Sequence, residues 1–113
     1  MLAKVNELTV GSSLAVAPAA DGSNDTSLVE LWLSLKVSGH TRRAYAADVE
    51  SFLQFVGKPL GWVTLADVQA FATTLEQGSL KPASQNRALT AVKSLLSFGQ
   101  ETGYLAFQYW RRA

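Results

Sequence analysis

Apolar residues recur three and four positions apart in four stretches of the chain, which is the spacing of one face of an α-helix. The first stretch follows Ser27, whose hydroxyl and the carboxylate of Glu30 predict a capping box at the helix start. The chain is expected to leave this helix at Ser38 and Gly39. Its predicted buried face consists of Leu28, Leu31, Trp32 and Leu35.

The second stretch predicts a longer helix, from Thr41 as the N-cap residue to Val56. Glycine and proline between Gly57 and Gly61 then end it. Its core stripe is predicted to comprise Tyr45, Val49, Phe52 and Val56, with Phe55 at the margin.

Two further helices follow the same period. Thr64 and Asp67 predict a capped start for the third helix, which ends near Gln77. The fourth helix is predicted to begin near Pro82 and to reach Thr102. Their buried faces are predicted to contain Leu65, Val68, Phe71, Ala72 and Leu75 in the third helix, and Leu89, Val92, Leu95, Leu96 and Phe98 in the fourth.

The segment before the first helix has neither a helical nor an alternating period. Residues 1–23 are rich in alanine, glycine and serine, so they predict a disordered leader. A secretory signal is the alternative, but Glu7, Thr9 and Gly11 interrupt its apolar region. Since nothing in the folded part alternates like a strand, residues 24–105 predict one all-α domain, a compact bundle of four helices.

Composition excludes several kinds of chemistry. The 113 residues include no cysteine and one histidine, His40, so disulfide scaffolds, thiolate–zinc sites and histidine-built metal sites have no basis, and no cofactor is expected. No apolar run approaches the roughly 20 residues of a membrane-spanning helix, so we expect a soluble, cytoplasmic protein. The net charge of +1 favours neither nucleic acid nor membrane by itself.

The distribution of charge is more informative than its sum. Donor side chains gather at the start of the second helix, where free backbone N–H groups also suit a phosphate, although an ordinary solvated helix start is the alternative. Around the fourth helix, no acidic residue occurs between Gln77 and Gln100, while Lys81, Arg87 and Lys93 give that stretch a charge of +3. Its outer stripe consists of Asn86, Thr90, Lys93 and Ser97.

Short polar side chains with a few cations suit a helix that lies in a DNA groove and touches bases and phosphates. A neutral solvated face is the alternative interpretation of the same stripe. The candidate DNA-binding residues on the two helices are His40, Thr41, Arg42, Arg43, Lys81, Ser84, Gln85, Asn86, Arg87, Thr90 and Lys93.

Three motifs, in order along the chain, resemble a known family. Residues 41–55 read TRRAYAADVESFLQF, which is similar to the pattern T-x-x-x-Y-x-x-D-[LV]-x-x-F-x-x-F of tyrosine recombinases and phage integrases. The match continues through TLADVQAF at 64–71, SQNRALTAVKSLLSF at 84–98 and GYL at 103–105. Residues 25–105 thus resemble the N-terminal SAM-like, or core-binding, domain of that family, which implies a SAM-like orthogonal bundle.

The resemblance implies a function as well as a fold. Such domains form half of a C-shaped clamp around double-stranded DNA, with the second and fourth helices facing the duplex, in DNA integration and recombination. The implied further partners are the catalytic domain of the same full-length protein and other recombinase protomers assembled on DNA. Residues 106–113 would then begin the linker to an absent catalytic domain, although they lack the family's usual Asn-Pro after the glycine turn.

No catalysis is expected in this chain, because the resemblance places the family's tyrosine nucleophile and its charged partners in the separate domain. Tyr45, Tyr104 and Tyr109 are interpreted as core or anchor aromatics. Asp48 and Glu50 are two positions apart on a helix, so they point in different directions and form no carboxylate dyad.

A helical protein-interaction module is the rival hypothesis from another class of function. It would work through an apolar patch around Trp32, Trp62 or residues 107–110. A positive face shared by the second and fourth helices would favour DNA, whereas cations scattered among acids would favour the rival. The residue inventory disfavours an independent hydrolase.

Overall fold

The computed structural model describes residues 24–105, and the predicted leader at 1–23 and linker at 106–113 lie outside the described residues. Within the described part, all regular structure is helical, which confirms the predicted all-α bundle. α2 and α4 each pack against all the other helices, and their mutual contact is the most extensive in the bundle. The elements are α1 (Asp25–Ser34), α2 (Gly39–Val56), a short 3₁₀ turn (Leu60–Trp62), α3 (Leu65–Gln77) and α4 (Pro82–Glu101).

α1 begins and ends earlier than the sequence pattern predicted. Its N-cap residue is Asn24, and Ser27 lies within the first turn, so the capping box predicted at Ser27 and Glu30 is wrong. The helix ends at Ser34 rather than near Ser38. Ser38 is used instead to start the next helix, which requires the chain to leave α1 a few residues before it.

The N-cap of α2 is also displaced from the predicted position. The Ser38 hydroxyl accepts a hydrogen bond from the backbone N–H of Thr41 at 3.3 Å, so Ser38 is the cap and Thr41 lies inside the first turn. At the other end the helix stops after Val56, as predicted. Gly57 adopts a left-handed conformation there with φ of 61°, which glycine tolerates without steric cost.

The start of α3 is the capping box that the sequence predicted. The Thr64 hydroxyl accepts from the Asp67 backbone N–H at 3.3 Å, and the Asp67 carboxylate accepts from the Thr64 backbone N–H at 2.8 Å. Lys58 adds an ion pair to the same carboxylate at 2.8 Å. Partial burial alone would raise the pKa of Asp67, but the hydrogen bonds from Lys58 and Thr64 outweigh it and hold the pKa below its ordinary value.

The buried core follows the predicted helix faces closely at their centres. Phe52 is fully buried, and its ring meets the ring of Phe71 edge-on at a centroid distance of 5.1 Å. Leu35 was predicted to be in the core but is 61% exposed, because α1 has already ended before it. The predicted core residues that are buried are Leu28, Trp32, Val49, Phe52, Val68, Phe71, Leu75, Val92, Leu95 and Leu96.

Other predicted core positions lie at the edge of the bundle, where they are half-buried: Leu31, Tyr45, Val56, Leu65, Ala72, Leu89 and Phe98. Small residues of α4 are buried in their place, because close helix packing leaves no room for larger side chains. At Gly99, a Cβ atom would lie 2.8 Å from Leu105 Cδ1, so a larger residue would require the buried Leu105 side chain to move. These unpredicted core residues are Ala88, Ala91 and Gly99 in α4, and Leu60, Val63 and Leu105 outside the α-helices.

Asp25 joins three distant parts of the chain at the start of α1. Its carboxylate accepts a hydrogen bond from the backbone N–H of Leu60 at 2.9 Å and another from the buried hydroxyl of Tyr104. Tyr104 is therefore an anchor aromatic, as predicted, and its hydroxyl fixes the end of the described chain against α1. Burial, with the Asp25 carboxylate next to it, raises the pKa of the Tyr104 hydroxyl.

Alkaline solution should weaken the fold through Tyr104. Its folded pKa is raised above the unfolded value of about 10, so the associated stability is fully present below that pH and is lost as pH rises above it. Tyr104→Phe should cost about 1.5 to 3 kcal/mol at neutral pH, since Asp25 loses a hydrogen-bond donor. Urea unfolding between neutral pH and pH of about 11 should therefore show a steeper stability loss for the wild type than for the variant. Parallel curves would contradict this assignment.

Candidate nucleic-acid interface

An ion pair between Asp48 and Arg87 joins α2 to α4. Arg87 Nε and Nη2 donate to Asp48 Oδ2 and Oδ1 at 2.8 and 2.9 Å, a bidentate contact. The Asp48 side chain is 7% exposed and that of Arg87 is 41% exposed. The hydrogen bond from Arg87 to Asp48 raises the pKa of the guanidinium, so the arginine is charged at every accessible pH.

This pair changes the role of Arg87 among the candidate residues. Its formal charge is cancelled by Asp48, so Arg87 adds little net positive charge to the face. The sequence gives a partial signal for the pair, because Asp48 lies between Tyr45 and Phe52 at core spacing and a carboxylate there needs a partner. Glu50 is exposed, which agrees with the prediction that Asp48 and Glu50 point in different directions.

The first half of α2 is held against α1 by an aromatic stack that the sequence did not reveal. The rings of Trp32 and Tyr45 are stacked at a centroid distance of 5.6 Å, and Trp32 Nε1 donates to Ser94 Oγ at 3.0 Å. The Lys36 ammonium lies 4.9 Å from the Trp32 ring centroid and 5.6 Å from that of Tyr45. Lys36 is thus a cation near the α2 start that the candidate set omitted.

The cations at the start of α2 differ in their surroundings. Arg42 is exposed, and its Nη1 donates to the backbone oxygen of Lys36 at 2.6 Å. Arg43 and His40 are exposed, and Thr41 is half-buried. Arg42 and Arg43 are therefore both exposed cations, and Arg42 already donates one N–H group to the backbone.

Some polar residues of α4 are exposed, and others are half-buried or hydrogen-bonded within the domain. Asn86, Thr90 and Lys93 are exposed, as the predicted outer stripe requires. Ser84 and Gln85 are half-buried, and Gln85 Nε2 donates to the backbone oxygen of Leu80 at 2.8 Å. Lys81, the N-cap residue of α4, is exposed; Ser97 is half-buried.

Ion pairing separates structural cations from available ones. Among residues 24–105, Lys58 and Arg87 are the cations in salt bridges. Arg42, Arg43, Lys81 and Lys93 form none with the described acids, and all four are exposed. The interface candidates therefore retain four accessible positive charges, two at the start of α2 and two at the start and in the middle of α4.

Other kinds of site find little support in the described part of the chain. No group of three or more His, Cys, Asp or Glu residues between 24 and 105 is placed to hold a metal ion. None of the helices there combines the length and apolar character needed to cross a bilayer. The rival patch predicted around Trp32 is wrong, because Trp32 is buried; Trp62 is 64% exposed. Residues 107–110 and Tyr109 lie outside the described residues.

Comparison with known proteins identifies the class of module that this bundle represents. A family model for the phage integrase N-terminal SAM-like domain matches residues 28–102, most of the described fold. The chain belongs to this family, and it carries the non-catalytic N-terminal module of the tyrosine recombinases and integrases. Neither the curated proteins nor the solved structures gave a significant match.

Proposed function

We propose that this domain binds double-stranded DNA through one face formed by α2 and α4, as the clamping module of a site-specific tyrosine recombinase. The observation that carries the proposal is the set of exposed cations outside ion pairs, Arg42, Arg43, Lys81 and Lys93, on two helices joined by the Asp48–Arg87 ion pair. Cations of this kind neutralise phosphates and release counterions, which supplies most of the affinity in non-specific DNA binding.

The polar side chains of α4 complement these cations. Asn86 is exposed in the first turns of the helix, where its amide can donate to and accept from an adenine edge in the major groove. The Gln85 amide donates a hydrogen bond to the Leu80 backbone oxygen. Gln85 would have to break this bond in order to donate to a base. Thr90 and Thr41 supply hydroxyls for phosphate or base contacts between the cations.

The module acts within a larger cytoplasmic assembly in this proposal. Its partners are duplex DNA, a catalytic domain of the same full-length protein and other recombinase protomers on the DNA. Strand cleavage belongs to that catalytic domain and not to this chain. Tyr45 and Tyr104 support this division of labour, since one is stacked on Trp32 and the other is buried against Asp25.

Titration of a short duplex with the full chain tests the proposal. Because the face has few cations and forms only half of a clamp, we expect a Kd of about 10⁻⁴ to 10⁻⁶ M near physiological salt, with tighter binding in dilute buffer. Fluorescence anisotropy of a labelled duplex at several salt concentrations measures this directly. No binding even in dilute buffer would favour the protein-interaction rival, and DNA cleavage by the purified chain would contradict the absence of catalysis.

A further inference from the structure

Arg87 differs from the other cations of the interface because a buried carboxylate fixes its orientation. Its contacts with Asp48 use two of the five N–H groups of a guanidinium, one on Nε and one on Nη2. Residues 24–105 offer no hydrogen-bond acceptor to the remaining three. The arginine side chain is 41% exposed, so Arg87 is open to solvent although Asp48 beside it is buried.

The remaining N–H groups form a second pair of parallel donors. Both N–H groups of Nη1 and one N–H group of Nη2 are not bonded to Asp48. One from each nitrogen points outward on the edge of the guanidinium away from Nε, and together they form a two-pronged donor, or fork. Such a fork matches two kinds of acceptor in DNA: the oxygens of a phosphate, and the O6 and N7 atoms of guanine in the major groove.

Charge distinguishes the two acceptors. Asp48 places a negative charge within 3 Å of the guanidinium nitrogens, in a position largely removed from water. A phosphate at the outer fork would be repelled by this carboxylate, whereas the guanine edge is an uncharged acceptor. A fixed fork also loses little side-chain freedom when it meets a base.

We infer that Arg87 is a specificity-determining residue that recognises guanine in the major groove, and that Asp48 is the positioning residue that fixes its donor fork. The inference rests on the proposed DNA binding. It assigns a different task to Arg87 than to Arg43 and Lys93, whose exposed charges outside ion pairs suit phosphates.

Two duplexes of one sequence test this inference with the full chain. One contains guanine, and the other contains 7-deazaguanine at every guanine, in which a carbon replaces N7. By anisotropy in dilute buffer, the wild type should bind the guanine duplex about 5-fold tighter or more, the lower end of a bidentate contact. Arg87→Lys keeps the charge but loses the fork, so it should bind both duplexes equally. Lys93→Ala, the matched control, should weaken binding to both and keep the ratio.

Asp48→Asn tests the positioning role separately. Without the carboxylate, the guanidinium is no longer fixed or neutralised, so the affinity ratio should fall toward one. The slope of log K against log salt should become steeper by about 0.9, because the released charge gains a phosphate contact. Circular dichroism establishes whether this variant folds; if it does not, Asp48→Glu takes its place, because it keeps the charge but displaces the carboxylate, and the ratio should again fall.

The outcomes separate this inference from the proposed function. Salt-dependent DNA binding with equal affinity for the two duplexes, or an unchanged ratio in Arg87→Lys, would overturn the role of Arg87 and leave the DNA-binding face intact. A folded Asp48→Asn variant with unchanged ratio and slope would overturn the positioning role. Absence of DNA binding by the wild type would overturn both proposals together.

Discussion

Replacement of Phe52 by alanine should strongly destabilise the domain. Phe52 is 0% exposed in the centre of the bundle and packs edge-on against Phe71. Loss of such a ring costs about 3 to 5 kcal/mol, through lost burial and the cavity left behind. Domains of this size have a total stability of about 5 to 15 kcal/mol, so this loss is a large fraction of it. Urea unfolding followed by circular dichroism should show a greatly lowered midpoint.

Phe55→Ala is the matched control in the same helix. Phe55 is 41% exposed, and its ring centroid lies 5.5 Å from that of Phe71. The substitution therefore removes the same side chain from a position where less of it is buried. We expect a clearly smaller loss of stability, because the apolar area returned to water is smaller. A Phe52→Ala variant that unfolds at the wild-type midpoint would show that the core face of α2 is wrongly assigned.

Truncation of Arg43 and Lys93 together should produce the largest change in DNA binding. Both side chains are exposed and outside salt bridges, and they lie on the two helices of the proposed face. If each contacts one phosphate, Arg43→Ala with Lys93→Ala should lower the slope of log K against log salt by about 1.8. The melting temperature should stay close to that of the wild type, since neither side chain is part of the core.

Glu76→Gln is the control for a general effect of charge. Glu76 is exposed on α3, which is not part of the proposed face, and the substitution raises the net charge of the chain by one. It should leave both the affinity and the slope nearly unchanged. If Glu76→Gln altered both while the Arg43/Lys93 double variant altered neither, the assignment of the face would be wrong even though the fold is right.

The helices were predictable because the three- and four-residue spacing of apolar positions extends over many residues in each helix, so a single misplaced residue does not hide it. The ends of α1 and the start of α2 were not, because more than one residue at each helix start can serve as the cap. Ser27 fits the capping pattern for α1, but Asn24 is the N-cap residue. Thr41 fits it for α2, but Ser38 is the N-cap residue. At α3 the capping box at Thr64 has no nearby competitor, and the prediction was confirmed.

The candidate interface was predictable by residue type but not by pairing. Arg43 and Lys93 are exposed as expected, since their helix positions alone determine this. The partnership of Arg87 with Asp48 joins residues 39 positions apart, and only the packing of α2 on α4 brings them together. The same holds for Gly99, which is buried because the Leu105 side chain packs directly over it.

Mapping of the DNA contact on the folded chain tests the central claim most directly. Isotope-labelled protein should be titrated with a short duplex in dilute buffer, while backbone amide shifts are followed by nuclear magnetic resonance. We predict the largest shift changes at the start of α2 around Arg43 and along the exposed side of α4 from Asn86 to Lys93, with little change around Glu76. Shift changes confined to α3 and the surroundings of Trp62 would contradict the account.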